Sequence, residues 1–379
     1  MAKKEIYPLK FHEIFKEKIW GGRRLESCLG KSLPKDKLIG ESWEIADHGE
    51  DISIVKNGML KGENLKKLIK NFKKEIIGKD VKLSRGGRFP LLFKYIDAFQ
   101  KLSIQVHPDD EYAYLNERDE TGKTEAWYVI WAKPGAQLVC GLKEDVNRNI
   151  LKEAIKSKKI EDYLNCITIN KGDLIFIPPG TVHTIMGDVI LAEIQQNSDL
   201  TYRIYDWGRI DKYGKSRELH IDKALDVIDF SLVRNYKIQP LSINIDGNII
   251  NYLIVCEKFV VELCEITDIY KLNCDGSKFY TLSVLEGNGE IFYEEEFESK
   301  LGSINTVNIK KGETVLLPAS LGKTLVKTTD KYNRLKLLKF YVPNITKDII
   351  EPLTHKGFTK QEIISLGGWD EVNDIKKYI

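Results

Sequence analysis

The chain has 379 residues, of which 42% are hydrophobic and 30% are charged, and its formal net charge is +2. Because acidic residues balance the lysines along the whole chain, charge provides no reason to expect nucleic acid or an anionic membrane surface as a partner. No apolar run approaches the roughly 20 residues that a membrane-spanning helix needs, and the length favours two domains or a duplicated architecture.

The first ninety residues are predicted to mix short strands, turns and one helix. Ser42 to Ala46 alternates at period two, which predicts a strand. Apolar residues recur at helical spacing from Leu65 to Ile76. This spacing predicts a helix over 64–77, with Asn64 as its cap and Gly78 as its end.

From Pro90 the sequence consists of short apolar runs separated by dense turn signals, which is typical of a β-sandwich or barrel. An apolar face predicts one helix inside 144–158, and a second is expected around 220–228. The predicted strands of this block are Leu91–Phe93, Ser103–Val106, Trp127–Trp131, Gln137–Val139, Cys166–Ile169 and Leu174–Ile177.

The chain is again strand-like from about Ile243, and the segment after Asn344 leans towards helix without a fold assignment. The predicted strands here are Ile249–Val255, Phe259–Ile266, Phe279–Leu285, Gly289–Tyr293, Thr306–Ile309, Thr314–Leu317 and Leu335–Tyr341.

A weak internal repeat links the two blocks. Residues 170–178 parallel residues 309–318, since both contain a turn glycine, an acidic residue, an apolar strand and a proline where the strand ends. The first copy continues to His183, whereas the second has no histidine at that point. The repeat predicts two β-barrels of common design, of which only the first keeps a metal.

Three short patterns in the first block combine potential metal ligands: Gln105-x-His107, Lys123-x-Glu125, and Gly172-(five residues)-Pro178-x-Gly180-x-x-His183. Residues two apart on a strand share a face, so the members of the first two patterns point the same way. Two imidazoles, one carboxylate and one amide oxygen suit a catalytic zinc, with iron, cobalt and manganese as alternatives.

Each pattern also has a simpler structural explanation. A single histidine beside an apolar strand is more often a core or surface residue than a ligand, and only the joint occurrence of the patterns favours a metal. His12, His48, His220 and His355 have no such partners, so no site role is assigned to them. A further cluster follows His183: Glu193 and Gln195 share a strand face, and Arg203 lies beyond a polar turn.

Together these residues resemble the type I phosphomannose isomerases, over about residues 19–209 and again, through the repeat, over about 243–341. The resemblance implies one zinc ion per chain, bound by Gln105, His107, Glu125 and His183. It also implies that Arg203 is catalytic and that Lys94, Ser103, Lys123 and Glu193 line the substrate pocket. The matching motifs are Ile19–Gly22, Gly40–Glu44, Leu92–Lys94, Leu102–Pro108, Lys123–Glu125, Ile177–His183 and Gln195–Arg203.

The implied fold is mainly β, a double-stranded β-helix of the bicupin type with a few short flanking helices. We expect a catalytic cupin domain over 1–235, a metal-less cupin domain over 240–345, and a helix-leaning tail of unknown role over 346–379. The segment 144–165 is too short for the long helical insertion of some family members, which indicates the compact bacterial form.

The implied activity is interconversion of mannose 6-phosphate and fructose 6-phosphate through an enediolate. Zinc suits this reaction as a Lewis acid, and Arg203 suits stabilisation of the enediolate or a phosphate contact. Either Lys123 or Glu193 could act as the base, and Lys94, Lys123, Arg203 and Arg209 are unranked candidates for the phosphate. The alternatives are an iron-dependent cupin dioxygenase and a non-enzymatic sugar-phosphate-binding bicupin.

The cysteines and the N-terminus bear on location. The six cysteines are scattered, and no two have the C-x-x-C spacing of a zinc or redox motif. The first ten residues carry charge and lack the apolar stretch of a secretory signal. We therefore expect free thiols and a cytoplasmic enzyme whose partner is a small sugar phosphate. The sequence leaves its oligomeric state open.

Overall fold

Short antiparallel strands make up most of the chain in the computed structural model, which describes residues 6–210, 214–231, 236–294, 304–330, 334–368 and 372–379. The strands of the first half of the chain are β1 (Leu9–Lys10), β2 (Ile14–Gly22), β3 (Ile39–Ile45), β4 (Asp47–His48), β5 (Asp51–Ile52), β6 (Leu91–Ala98), β7 (Ile104–Val106), β8 (Glu125–Ala132), β9 (Gln137–Leu142), β10 (Leu164–Thr168), β11 (Leu174–Ile177), β12 (His183–Ile185), β13 (Val189–Gln196) and β14 (Tyr202–Tyr205).

The second half of the chain continues in the same manner and ends in helices. Its strands are β15 (Leu241–Ile245), β16 (Asn248–Val255), β17 (Val260–Ile266), β18 (Ile269–Cys274), β19 (Tyr280–Glu286), β20 (Asn288–Glu294), β21 (Ile304–Lys310), β22 (Thr314–Leu317), β23 (Gly322–Thr328) and β24 (Leu335–Tyr341). The helices are α1 (Arg24–Leu29), α2 (Leu65–Ile77), α3 (Asp110–Asn116), α4 (Arg148–Lys156), α5 (Ile221–Val227), α6 (Glu351–His355) and α7 (Lys360–Ser365).

The strands form two barrels of the same topology. In the first, a sheet in the order β11-β8-β13-β6-β3-β2 faces a sheet in the order β10-β9-β12-β7-β14. In the second, the orders are β22-β19-β24-β17-β16-β15 and β21-β20-β23-β18, so each strand except β14 has a counterpart in the other barrel. The chain has the mainly β, cupin-like fold that the family resemblance implied, with the two barrels that the repeat predicted. The N-terminal strand β1 pairs with β22 of the second barrel.

The apolar core has four main parts. One lies inside each barrel, one lies between the two barrels where the large sheets pack face to face, and one joins the smaller sheet of the first barrel to α4 and α5. The rings of Phe93 on β6 and Phe340 on β24 meet there with centroids 4.8 Å apart, and those of Phe89 and Phe279 with centroids 4.7 Å apart. Burial on both faces explains why β6 and β13 are mostly apolar.

The predicted helix over 64–77 is confirmed as α2. The Asn64 side chain accepts a hydrogen bond from the Lys67 N–H at 2.8 Å, which caps the first turn. Gly78 ends the helix with a φ of +98°, and a Cβ there would lie 2.2 Å from the carbonyl oxygen of Ser277. Glycine is required at this point because the end of α2 lies directly against the second barrel.

Other elements differ from the sequence prediction. The predicted helix over 144–158 is shorter and begins after the cap Asn147, and α3 was not predicted. The tail is helical, and its apolar residues Ile349, Leu353, Ile363 and Ile375 are buried in the core of the second barrel. Among the described residues, no helix is long and apolar enough to cross a membrane.

Candidate metal centre and substrate cavity

The four residues predicted as metal ligands come together at one end of the first barrel. Gln105 lies on β7 and His107 directly follows it, while Glu125 and His183 are the first residues of β8 and β12. His183 lies opposite Gln105 in the antiparallel register of β12 and β7. One carboxylate oxygen of Glu125 and one ring nitrogen of each histidine all lie within 4.8 Å of one another.

Backbone carbonyls determine how the two imidazoles are oriented. His107 Nδ1 lies 2.7 Å from the carbonyl oxygen of Leu200, and His183 Nδ1 lies 2.8 Å from that of Thr181. Since a carbonyl can only accept, each Nδ1 carries a proton and donates it, and in a neutral ring the Nε2 then presents a lone pair. Burial and the cation of Lys123 lower the pKa of His107 to about 3, so its ring is neutral at pH 7.

Glu125 is the carboxylate that both Nε2 atoms face. Its Oε1 lies 3.1 Å from His183 Nε2 and 3.6 Å from His107 Nε2. Burial opposes ionisation, but the nearby Lys123 cation holds the pKa of Glu125 well below its usual range. Lys123 Nζ lies 2.7 Å from Glu125 Oε2 and 3.1 Å from His107 Nε2. Despite this close ion pair, neither oxygen of Glu125 accepts a hydrogen bond of good geometry.

Gln105 supplies a fourth polar group at the same point. Its amide Nε2 lies 3.2 Å from His183 Nε2. Rotating the amide by 180° exchanges nitrogen and oxygen without changing the space the side chain fills. In that orientation the amide oxygen of Gln105 faces the point shared by the two imidazoles and the carboxylate.

This arrangement fits a bound cation. The two ring nitrogens and a carboxylate oxygen converge within 4.8 Å of one another, and the Lys123 ammonium lies 3.1 Å from His107 Nε2. A divalent cation bound between the three donor atoms would offset the repulsion between their lone pairs. The Nδ1 contacts to backbone carbonyls are the outer contacts that ordinarily orient metal-binding histidines. Mixed nitrogen and oxygen donors suit a divalent transition metal, zinc among them.

A cavity of about 220 Å³ opens beside these ligands. Six of the nine predicted site residues line it, and the other three, His107, Glu125 and His183, are fully buried at its inner end. Five basic and three acidic side chains also give the lining an excess of positive charge. The predicted residues in the lining are Lys94, Ser103, Gln105, Lys123, Glu193 and Arg203.

A buried ion pair lies in the cavity wall, on the same sheet as the ligand Glu125. Lys94 on β6 and Glu193 on β13 lie directly opposite each other in register, with Lys94 Nζ 3.2 Å from Glu193 Oε2. Burial raises the pKa of Glu193 above its usual range, although Lys94 opposes this shift. Trp127 Nε1 donates to the other oxygen of Glu193 at 2.9 Å. The carboxylate is therefore held rigidly with one edge towards the cavity.

Arg203 lies on β14 beside Gln105, across from it in register. Its Nε donates to Ser103 Oγ at 3.3 Å and its Nη1 to the carbonyl oxygen of Glu218 at 2.9 Å. Within the described residues no carboxylate forms an ion pair with this guanidinium. Partial burial and the nearby cation of Arg217 lower the pKa of Arg203, which nevertheless remains charged at neutral pH. An unpaired, half-buried cation at a cavity wall is placed to meet an anion.

Several cavity residues were not assigned from the sequence: Lys18, Glu41, Asp199, Arg217 and His220. His220 had been left without a site role, yet its Nδ1 accepts from the Arg203 N–H at 3.3 Å. These residues come from segments on both sides of the ligand strands. The Gly40–Glu44 motif contains Glu41 and the Gln195–Arg203 motif contains Asp199, whereas none of the motifs contains Lys18, Arg217 or His220.

The phosphate candidate Arg209 does not line the cavity. Its guanidinium pairs with Asp206 and donates to the carbonyl oxygen of Lys101 at 2.5 Å. Arg217 pairs with the same Asp206 carboxylate but also lines the cavity. The structure therefore favours Arg217 over Arg209 as a neighbour of a bound anion.

The second barrel has a charged pair at the corresponding place, with the signs exchanged. Glu262 on β17, the counterpart of β6, lies opposite Lys339 on β24, the counterpart of β13. Lys339 Nζ lies 2.7 Å from Glu262 Oε2 and donates to the Tyr270 hydroxyl at 2.8 Å. The Tyr341 hydroxyl donates to Glu262 Oε1 at 2.8 Å. The two tyrosines that bind this pair, Tyr270 on β18 and Tyr341 on β24, both belong to the second barrel.

The chain is similar to known sugar-phosphate isomerases. Residues 9–126 match the family model "Phosphomannose isomerase type I, catalytic domain". Mannose-6-phosphate isomerase ManA of Bacillus subtilis (strain 168) is 36% identical over 317 residues, which cover 83% of this chain and 94% of that protein. Mannose-6-phosphate isomerase of Streptococcus mutans is 34% identical over 314 residues, covering 83% and 93%.

The fold is shared with a solved structure. The crystal structure of the mannose 6-phosphate isomerase from Bacillus subtilis superposes with a TM-score of 0.78 at 35% sequence identity. The match covers 88% of this chain and 99% of that chain. Both barrels are therefore common to the two proteins.

Proposed function

The chain belongs to the type I phosphomannose isomerase family, and we propose that it interconverts mannose 6-phosphate and fructose 6-phosphate through an enediolate with one bound zinc ion. The observation that supports the metal requirement is the convergence of His107 Nε2, His183 Nε2 and a Glu125 carboxylate oxygen within 4.8 Å of one another. Two histidines and one glutamate are a set that holds zinc in catalytic sites, and Gln105 could add an amide oxygen.

When bound, zinc would polarise an oxygen of the sugar as a Lewis acid. The residues around it divide the remaining tasks. Lys123 lines the cavity and contacts the ligand Glu125 at 2.7 Å. We therefore assign to Lys123 the proton transfer at the carbons or oxygens of the sugar that lie beside the metal ligands. Glu193 faces the same cavity with a raised pKa and is the alternative proton carrier.

Arg203 has a different role because its charge does not change at working pH. Its guanidinium is held by Ser103 and by the backbone, so it keeps its place whether or not an anion is bound. A fixed cation in a partly dry cavity stabilises negative charge that develops on the substrate. Lys94, held by Glu193, supplies a second fixed cation that can orient a hydroxyl or a phosphate oxygen.

We also propose the division of the chain into a metal-binding barrel over 1–235, a metal-less barrel over 240–345 and a tail over 346–379. The matching strand orders of the two barrels support this division, with β1 crossing to the second one. A cytoplasmic location is consistent with the free state of all six cysteines, each of which lies among the described residues.

A coupled assay with purified protein and mannose 6-phosphate tests the proposal. Chelation should abolish turnover, one equivalent of zinc should restore it, and the double variant His107→Ala/His183→Ala should stay inactive after zinc is added. His355→Ala is the matched control because His355 is exposed on the tail. No turnover by the zinc-loaded protein would refute isomerase activity, whereas full turnover without metal would refute the metal requirement alone. Oxygen consumption with bound iron would instead support a dioxygenase.

A further inference from the structure

We propose that Ser198 and Glu120 are positioning residues for His107, and that they hold the carbonyl which sets the orientation of this imidazole. The inference rests on the proposed metal site, because the direction of the His107 ring matters to function only if its Nε2 binds an ion. It concerns a hydrogen-bond chain outside the cavity, whose members do not contact the meeting point of the ligands.

The chain of contacts begins at the imidazole. His107 Nδ1 donates to the carbonyl oxygen of Leu200 at 2.7 Å. The N–H of Leu200 donates to Ser198 Oγ at 3.2 Å, and the Ser198 hydroxyl donates to Glu120 Oε2 at 3.2 Å. The other carboxylate oxygen of Glu120 lies 2.9 Å from His48 Nε2.

Side chains are needed here because residues 197–201 run between β13 and β14 without strand pairing. Ser198 is fully buried, and its carbonyl oxygen accepts from Gln195 Nε2 at 2.5 Å. Asn197 Nδ2 donates to the carbonyl oxygens of Asp47 and Phe89. These contacts replace the backbone ladder, and within the described part of the chain the Ser198 hydroxyl is the acceptor of the Leu200 N–H.

Glu120 determines what the Ser198 hydroxyl does. A hydroxyl has one proton and can rotate, so it accepts from Leu200 reliably only if its proton is committed elsewhere. The Glu120 carboxylate provides that acceptor and is itself held by His48, with about a fifth of its side chain exposed. Without the carboxylate, we expect the hydroxyl to rotate, the Leu200 carbonyl to shift and the ring of His107 to turn.

Three variants separate this role from general stability. Ser198→Ala removes the hydroxyl. Glu120→Leu removes the acceptor, whereas Glu120→Gln keeps an acceptor oxygen and should rescue the network. Asp119→Asn is the matched control, since it removes a neighbouring carboxylate that is 72% exposed and outside the network.

The readouts are metal affinity by chelator competition and the absorption spectrum of the cobalt-loaded protein, which reports ligand geometry. Ser198→Ala and Glu120→Leu should each weaken metal affinity about tenfold, the lower end for outer contacts of a metal ligand, and should alter the cobalt spectrum. Glu120→Gln and Asp119→Asn should match the wild type on both measures. If Ser198→Ala does not fold, the comparison of Glu120→Leu with Glu120→Gln tests the same role, because Glu120 is partly exposed.

Two results would overturn the inference, and they differ in what else they affect. Wild-type affinity and an unchanged cobalt spectrum in Ser198→Ala or Glu120→Leu would overturn the positioning role and leave the proposed isomerase intact. Failure of the wild-type protein itself to bind a divalent metal would overturn the inference together with the proposed metal site.

Discussion

Replacing Lys339 by methionine should destabilise the second barrel without affecting the chemistry in the first. Lys339 is buried, and its ammonium contacts Glu262 Oε2 at 2.7 Å and the Tyr270 hydroxyl at 2.8 Å. Burial opposes its charge, but Glu262 holds the pKa of Lys339 well above its usual range. The variant leaves the Glu262 carboxylate buried without a cation, and only the Tyr341 hydroxyl remains bonded to it.

The size of the effect follows from the burial of both partners. Removing one partner of a buried ion pair costs about 3–5 kcal/mol, whereas replacing both by apolar residues of similar volume is often close to neutral. We expect about 3 kcal/mol for Lys339→Met, the lower end of this range, since Tyr341 still donates to Glu262. The double variant Glu262→Met/Lys339→Met should recover most of this loss.

Native-state hydrogen exchange is the suitable assay, because a chain with two barrels need not unfold in one step. The exchange of amides in β17 and β24 should accelerate in Lys339→Met and return towards the wild-type rate in the double variant, with kcat unchanged in both. Lys336→Met is the control, since Lys336 lies on the same strand but is 4.0 Å from Glu286 at the surface. Two results would contradict a stabilising role of the buried pair. One is a loss of stability in Lys339→Met no larger than that in Lys336→Met, and the other is a loss in the double variant as large as that in Lys339→Met.

Three further predictions concern acid stability, catalysis and a helix cap. Burial opposes ionisation of Glu41, but Lys18 and Lys94 lower the pKa of this carboxyl to about 2. The ionised carboxylate therefore stabilises the fold above its ordinary pKa of 4.5, and this stabilisation is lost as the pH falls towards 2. Unfolding of the metal-free protein over this range should depend less on pH in Glu41→Gln, and an equal dependence would contradict the assignment. Arg203→Ala should lower kcat by about a hundredfold while mannose 6-phosphate still binds, as steady-state kinetics and calorimetry would show; unchanged turnover would remove Arg203 from the catalytic residues. Asn64→Ala should lower the free energy of unfolding by about 1 kcal/mol and Asn64→Ser by much less, so equal losses in the two variants would contradict the cap.

Local patterns were sufficient to predict much of the fold. The helix α2, its cap Asn64 and its terminating Gly78 follow from spacing and capping preferences within this short segment. The repeat around residues 170–178 and 309–318 predicted two barrels, because a turn glycine, a short apolar strand and a terminal proline form a local unit of sheet structure. The helix α3 was missed because its seven residues show too little periodicity to be distinguished from the polar turn before it.

By itself, the sequence determined which residues could bind a metal, since residue type and the two-residue period of a strand are local properties. The meeting of Gln105, His107, Glu125 and His183, the lining of the cavity by Arg217 and His220, and the link from Ser198 to His107 depend on which strands become neighbours. Strand pairing joins residues that are far apart in the chain, such as Lys94 with Glu193 and Leu9 with Leu316, and burial then selects which of their charges face each other. The exchanged pairs Lys94–Glu193 and Glu262–Lys339 show this most directly, because only the two sheet registers reveal that they occupy the same place in two barrels.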